Sequence, residues 1–552
     1  MSELSQYEAL LARAKEMRLD YTATEEGYVF LEDQDEEPQG KYMSDIIILH
    51  PLTIIATSDD NRQPDGPRAL SIPIAATTNW TSNVLSDSKN RLTLSALAKN
   101  DIPAVLTSRA KVMHTPQTFN VLIPIEGAPI TNQRASGRCW LFASTNVFRV
   151  ALMKRYNLKE FELSQAWLFF WDKLEKANWF LENVIDLARE EELDGRLMQE
   201  LLKAPVSDGG QWDMVAAIVQ KYGLVPQNLY PDSYSAMNSS TMGRLITSKL
   251  REDAIKLRRI VALHLPTSKV SLSAKLTEAK TNMLADVHRI LTLMLGPPPP
   301  PNKKFTWSYY DADGRFHSED NHTPITFADQ LSDVSCRLAN HGTDMHKLFS
   351  LVHDPRNPYY NLLTVDRLGN VMPTPKPDEN PNFTQIRYVN VPISVLKKAC
   401  ITMLKEEHPI FFGCDVGKSS SSSLGIMAHN LLDYKLGFNV TLGLNKASRL
   451  QVGESAMTHA MVLTGVHVET VETTDILTGK KRREEQSIRW RVENSWGDSA
   501  GEKGWFVMDD EWFSEWVYQA VVDPRYVSKE IRDVLDKEPI VLPLWDPMGA
   551  LA

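Results

Sequence analysis

Thr131–Phe142, TNQRASGRCWLF, decides how the rest of this chain is read. Gln133 stands six residues ahead of Cys139. The cysteine opens an apolar run of Trp140, Leu141, Phe142 and Ala143, continued by Val147, Phe148 and Val150. That spacing predicts a buried helix with Cys139 on its first turn. There the free backbone N–H groups and the helix dipole favour a thiolate, the form of cysteine that attacks an electrophile. A free cysteine is more often an inert core residue. The upstream glutamine, Gly137 and the helix-start position weigh against that bland reading.

Two later segments supply what the cysteine lacks. MTHAMVLTGV (457–466) puts His459 at the start of an apolar strand, followed by the small Ala460. VENSWG (492–497) offers Asn494, with Trp496 two residues on. Cys139 reads as nucleophile, His459 as base and later acid to the leaving amine, and Asn494 as the acceptor that fixes the imidazole tautomer. Trp496 would shield that hydrogen bond from water. Gln133 would donate to an oxyanion together with the Cys139 backbone N–H. SDGGQWDM (207–214) presents Gly209 and Gly210, where a substrate backbone could approach and pair in β fashion. A tight turn before a helix explains those glycines equally well on local grounds.

With 552 residues the chain exceeds what one core usually spans. Its net charge of −10 argues against a global nucleic-acid footprint. Four cysteines, Cys139, Cys336, Cys400 and Cys414, suit neither a disulfide framework nor a zinc site, and no cofactor or metal is expected. The start of the chain lacks a signal-peptide core and no apolar run would span a bilayer, so cytosol is the expected compartment. Residues 1–75, with LEDQDEEP at 31–38, read as a divergent, loosely ordered extension.

Residues 76–230 read as an N-terminal region leading into a helical lobe, including the amphipathic stretch 162–190. A mainly helical insertion and a hairpin at FTWSYYDADGRF (305–316) fill 231–384. His459 follows Cys139 by 320 positions, against roughly 130 to 150 in a compact enzyme of this chemistry, so a domain-sized insertion is required. Short β-type segments separated by turns occupy 385–530, with SSSSS (419–423) as an exposed loop, and 531–552 form a C-terminal arm.

The motifs above, with long blocks such as DPRNPYYNLLTVDRLGNV (354–371), GEKGWFVMDDEWF (501–513) and LWDPMGALA (544–552), resemble the bleomycin hydrolase and aminopeptidase C branch of papain-like cysteine peptidases. The resemblance covers about residues 85–552. It implies an α+β papain-like fold, a helical lobe plus an antiparallel β-barrel lobe, with a large helical insertion. It further implies a homohexamer whose active sites face an internal cavity. Its peptide substrates would carry a free N-terminus, with hydrolysis of bleomycin and homocysteine thiolactone as side activities. The arm LPLWDPMGALA would lie in the cleft, where a carboxylate at Ala552 would meet the substrate's α-ammonium and make the enzyme an aminopeptidase. Two alternatives stand beside this: an endopeptidase, and a hexamer with weak DNA or RNA binding. The second rests on Arg251, Lys256, Arg258 and Arg259 in KLREDAIKLRR and on KKRR (480–483), which Glu484 and Glu485 follow directly.

Overall fold

The computed structural model describes residues 21–24, 27–30, 71–263, 269–332, 347–373, 386–474 and 481–552. Most of the 1–75 extension, Cys336 and Lys480 therefore lie outside the described residues. Contacts divide the chain into one unit up to Val84 and a second from Leu85 to Ala552. In the first, Tyr21–Thr24 and Gly27–Phe30 pair as a short antiparallel hairpin. Everything below concerns the second.

Its centre is the helix Cys139–Tyr156, which is buried on nearly every side, as a helix apolar all round must be. Asn157 ends it in the left-handed region at φ 50°, a conformation asparagine tolerates. Helices Gln165–Asp186 and Trp212–Tyr222 pack against it and share its core. The first is started by Ser164, whose hydroxyl accepts from the Trp167 N–H at 3.0 Å. Trp140, Trp167 and Trp212 are completely buried here, each worth on the order of 2 to 3 kcal/mol of apolar burial. Two long helices, Ser240–Leu263 and Lys269–Leu295, pack on each other and on Gln165–Asp186. The prolines from 297 stop the second. The hairpin follows as Phe305–Tyr310 and Phe316–His322.

Twelve strands among the described residues form one mixed sheet. Its consecutive members include Trp505–Asp509, Lys481–Glu493, His459–Thr474, Ile410–Cys414, Val517–Val522 and Phe349–Val352. Asn361–Val365, which lies between 231 and 384, is also one of its strands, and Ile540–Leu542 from the arm pairs parallel to it. Ser420–Ser421 pairs with Ile426–Met427 at the opposite edge, so part of the serine run expected as a loop is a two-residue strand.

The strands at the middle read as unbroken apolar runs because both faces are covered. Phe411, Ala460 and Val462 enter the core of the nucleophile helix. Their neighbours Ile410, Phe412, Cys414, Met461 and Leu463 enter a second core with helix Ile393–Lys405. His459 is the first residue of its strand and lies opposite Cys414, with Ala460 opposite Gly413. This register puts His459 at the end of a central strand, and the backbone N–H of the next residue, Ala460, faces Cys139 at the start of the nucleophile helix. No helix among the described residues is long and apolar enough to cross a membrane.

Candidate active site

The nucleophile helix begins without a side-chain cap: Arg138, just ahead, holds Asp232 through two hydrogen bonds of 2.7 and 2.9 Å instead. Its first N–H groups are thus left to the cysteine. The backbone N–H groups of Cys139, Trp140 and Ala460 all face the Cys139 sulfur and favour its thiolate. Burial outweighs them and pushes the thiol up to about 11. The helix start alone predicts the opposite direction. Dehydration of a residue only 2% exposed is the reason for the difference.

His459 sits one residue before the Ala460 amide that faces the sulfur. Its Nε2 is 2.9 Å from Asn494 Oδ1. That oxygen can only accept, so the ring proton resides on Nε2 and Nδ1 is the basic nitrogen. Asn494 Oδ1 also accepts from the Ser495 N–H at 2.8 Å, which fixes the amide's orientation. Burial lowers the His459 pKa to about 4, against the pull of Asn494. Burial thus disfavours the charged form of both Cys139 and His459. Trp496 lies against the imidazole with ring centroids 4.9 Å apart. It covers one face of the imidazole.

Gln133 is tied to the same strand end. Its N–H donates to the Ser495 carbonyl at 2.8 Å, and its side-chain Oε1 accepts from the Ser495 hydroxyl at 2.8 Å. Its Nε2 donates one N–H to the Ser136 carbonyl at 2.7 Å. The structure thus links Gln133, Asn494 and His459 through Ser495, a residue the sequence reading passed over. Beneath them Glu493 and Arg149 form a fully buried ion pair at 2.5 Å.

Gly209 and Gly210 are covered by the C-terminal arm. The Gly210 N–H donates to the Ala552 carbonyl at 3.0 Å, and the Gln211 side chain donates to the Ala550 carbonyl. A β-carbon on Gly209 would stand 2.7 Å from the Leu551 carbonyl oxygen, so only glycine admits the arm this closely. Further back the arm is anchored by Asp546, which accepts from Arg356 at 2.7 Å and caps Met548 at 2.8 Å. Trp545 lies under the Arg196 guanidinium at 4.1 Å.

Two buried lysines that the sequence reading missed hold this glycine loop. Lys176 Nζ donates to Asp172 at 2.7 Å and to the carbonyls of Ser207 and Gly209 at 3.0 and 2.6 Å. Lys173 pairs with Asp208 at 2.6 Å. Against burial, which raises it, Lys173, Ser239 and the Gly137 N–H hold Asp208 down at about 2. The available signal was DKLEK (172–176), two acids and two lysines on a helix too apolar to be a solvated face.

Cys400 and Cys414 are buried, and burial raises both thiols further than that of Cys139. His467 lies beside Glu469 at 3.6 Å. Of the basic residues weighed for nucleic acid, Lys256 pairs with Asp253 at 3.6 Å. Arg251 and Arg258 donate to the carbonyls of Leu202 and Glu191.

Comparison with known proteins agrees with this geometry. The model of the Peptidase C1-like family matches residues 71–549. Bleomycin hydrolase of Gallus gallus is 42% identical over 452 residues, 81% of this chain and 91% of that protein. The Homo sapiens bleomycin hydrolase is 41% identical over 82% of this chain and 92% of its own length. A Saccharomyces cerevisiae protein named cysteine proteinase 1, mitochondrial, is 39% identical over 87% and 93%. The crystal structure of PepW from Lactobacillus rhamnosis superposes with a TM-score of 0.76 at 37% identity, covering 88% of this chain and all of that one. The chain belongs to the bleomycin hydrolase branch of the Peptidase C1-like family and is a cysteine peptidase.

Proposed function

We propose that the chain is a thiol aminopeptidase that removes N-terminal residues from peptides by a Cys-His-Asn acyl-enzyme mechanism. His459 Nδ1 takes the Cys139 proton as the sulfur attacks the scissile carbonyl. The oxyanion is met by the Cys139 N–H and an amide N–H of Gln133. His459 then protonates the departing amine, and the Cys139 thioester remains. Water, deprotonated by His459, cleaves the thioester and restores the thiol.

The observation that carries the exopeptidase reading is the hydrogen bond from Gly210 to Ala552. The arm already occupies the edge on which a substrate backbone would continue, so a peptide must begin at the cleft and cannot run through it. Exposed apolar residues at alternate positions, Leu436, Phe438, Val440, Leu442 and Leu444, support assembly into a hexamer that covers them. Free Cys139, Cys400 and Cys414 suit a reducing compartment, the cytosol.

The test is hydrolysis of a fluorogenic aminoacyl amide beside its N-acetylated twin, by wild type, Cys139→Ala and a chain truncated after Pro543. Wild type should cleave the free amine alone, the alanine variant neither, and the truncated chain both. Equal cleavage of the two by wild type would establish an endopeptidase instead.

A further inference from the structure

A groove opens beside the nucleophile. On one side it is lined by residues 135–137, just ahead of Cys139, and by 206–208, just ahead of Gly209. On the other it is lined by one face of helix Ser240–Leu263: Ser240, Gly243, Arg244, Thr247 and Arg251. These recur at three- and four-residue steps, so the face is a continuous stripe of hydroxyls and cations.

Two features of the stripe are unexplained by folding. Gly243 lies inside a helix, where glycine is destabilising, yet a β-carbon there would meet nothing within 4 Å. No packing requires the glycine, and its missing side chain leaves space open on the groove side. Arg244 is exposed and donates to Thr241 Oγ1 at 3.1 Å, with no carboxylate in ion-pair reach among the described residues. Arg251 is occupied with the Leu202 and Lys203 carbonyls, and Lys203 with Glu200. The one acid in the lining, Asp208, is neutralised by Lys173 and further held by Ser239 and Gly137.

We propose that this groove receives the side chain of the substrate's N-terminal residue and that Arg244 makes it accept an acidic one, with Gly243 leaving room for its length. The inference deepens the aminopeptidase reading and rests on it. Two stretches of the groove wall, 135–137 and 206–208, run up to Cys139 and Gly209, so a residue whose carbonyl lies at Cys139 and whose amine meets the arm at Gly209–Gly210 stands beside the groove. The side chain then runs along the helix toward an unpaired guanidinium, which binds a carboxylate through paired N–H groups.

The experiment compares kcat/KM for Glu-, Lys- and Ala-amides with wild type, Arg244→Glu, Arg244→Lys and Gly243→Leu. Arg244→Glu should lower the Glu-to-Lys ratio at least ten-fold and leave the Ala-amide unchanged, while Arg244→Lys keeps the wild-type order. Gly243→Leu, favourable for the helix, should depress the Glu- and Lys-amides and spare the Ala-amide. A Glu-to-Lys ratio unmoved by Arg244→Glu overturns the proposal. If wild type cleaves free-amine and N-acetylated substrates equally, the aminopeptidase reading fails by itself. The same ratio measured on N-acetylated Glu and Lys amides then decides the groove.

Discussion

Gly210 and Ala552 are joined by a backbone hydrogen bond of 3.0 Å, which ties the last residue of the arm to the glycine loop. On the proposed aminopeptidase reading, the arm and a long peptide compete for this one donor, and whichever holds it decides how far a substrate can extend.

The neighbouring glycines should separate this competition from folding. A β-carbon on Gly209 would press on the Leu551 and Ala552 carbonyl oxygens at 2.7 and 2.8 Å. Gly209→Ala should loosen the arm, raise cleavage of N-acetylated peptides and leave the melting temperature near wild type. A β-carbon on Gly210 would instead meet the Trp140 indole at 2.5 Å, inside the core. Gly210→Ala should cost about 1 to 3 kcal/mol, read by denaturant unfolding.

Gln133 shares Ser495 with Asn494, so its loss should act on the oxyanion and on the imidazole's support together. Gln133→Ala is expected to lower kcat by about 100- to 1000-fold, as removal of one oxyanion donor does. Ser495→Ala, which deletes only the 2.8 Å bond to Gln133 Oε1, should give a smaller loss in kcat with KM unchanged. Steady-state kinetics on one aminoacyl amide compares the two.

The Arg149–Glu493 pair is buried on both sides and adjoins Asn494 in sequence. Arg149→Met should destabilise the fold by about 3 to 5 kcal/mol, because it strands a carboxylate away from water. The double variant Arg149→Met with Glu493→Gln should recover part of that loss. Urea unfolding of the four proteins closes the cycle.

Asp208 provides a pH signature. Its folded pKa of about 2 lies below an ordinary value of about 4, so the carboxylate stabilises the fold at higher pH. That contribution, about 2 kcal/mol, is lost as pH falls through roughly 4 toward 2. The stability gap between wild type and Asp208→Asn should be widest at pH 5 and narrow steadily below 4.

What the sequence disclosed was what is local. Cys139 with Gln133, His459 opening an apolar strand, and Asn494 with Trp496 each announce themselves within a dozen residues, and the structure brings these segments together. The glycine pair was legible as a close approach, though the covering arm lies more than 300 residues downstream. Lys173 and Lys176 were not legible. Apart from Asp172, their partners, the Asp208 carboxylate and the Ser207 and Gly209 carbonyls, lie some thirty residues on, and a lysine in a helical pattern looks like surface. Ser420–Ser421 was missed because a two-residue polar strand carries no apolar alternation. The direction of the Cys139 shift was hidden as well: a helix start is visible in a string of letters, the exclusion of water from it is not.

The His459–Thr474 strand aligns regularly with Ile410–Cys414 from His459 to Leu463, and its irregularities against the next strand come later, after Leu463 and after His467. Aim at the cleft is therefore settled in the first five residues, and each irregularity downstream absorbs a change of register before it can propagate back. The far end of this ribbon, where Thr474 pairs with Lys481, lies beyond both irregularities. Foreign sequence grafted there, a tag or a targeting module, would ride on the enzyme without retuning it.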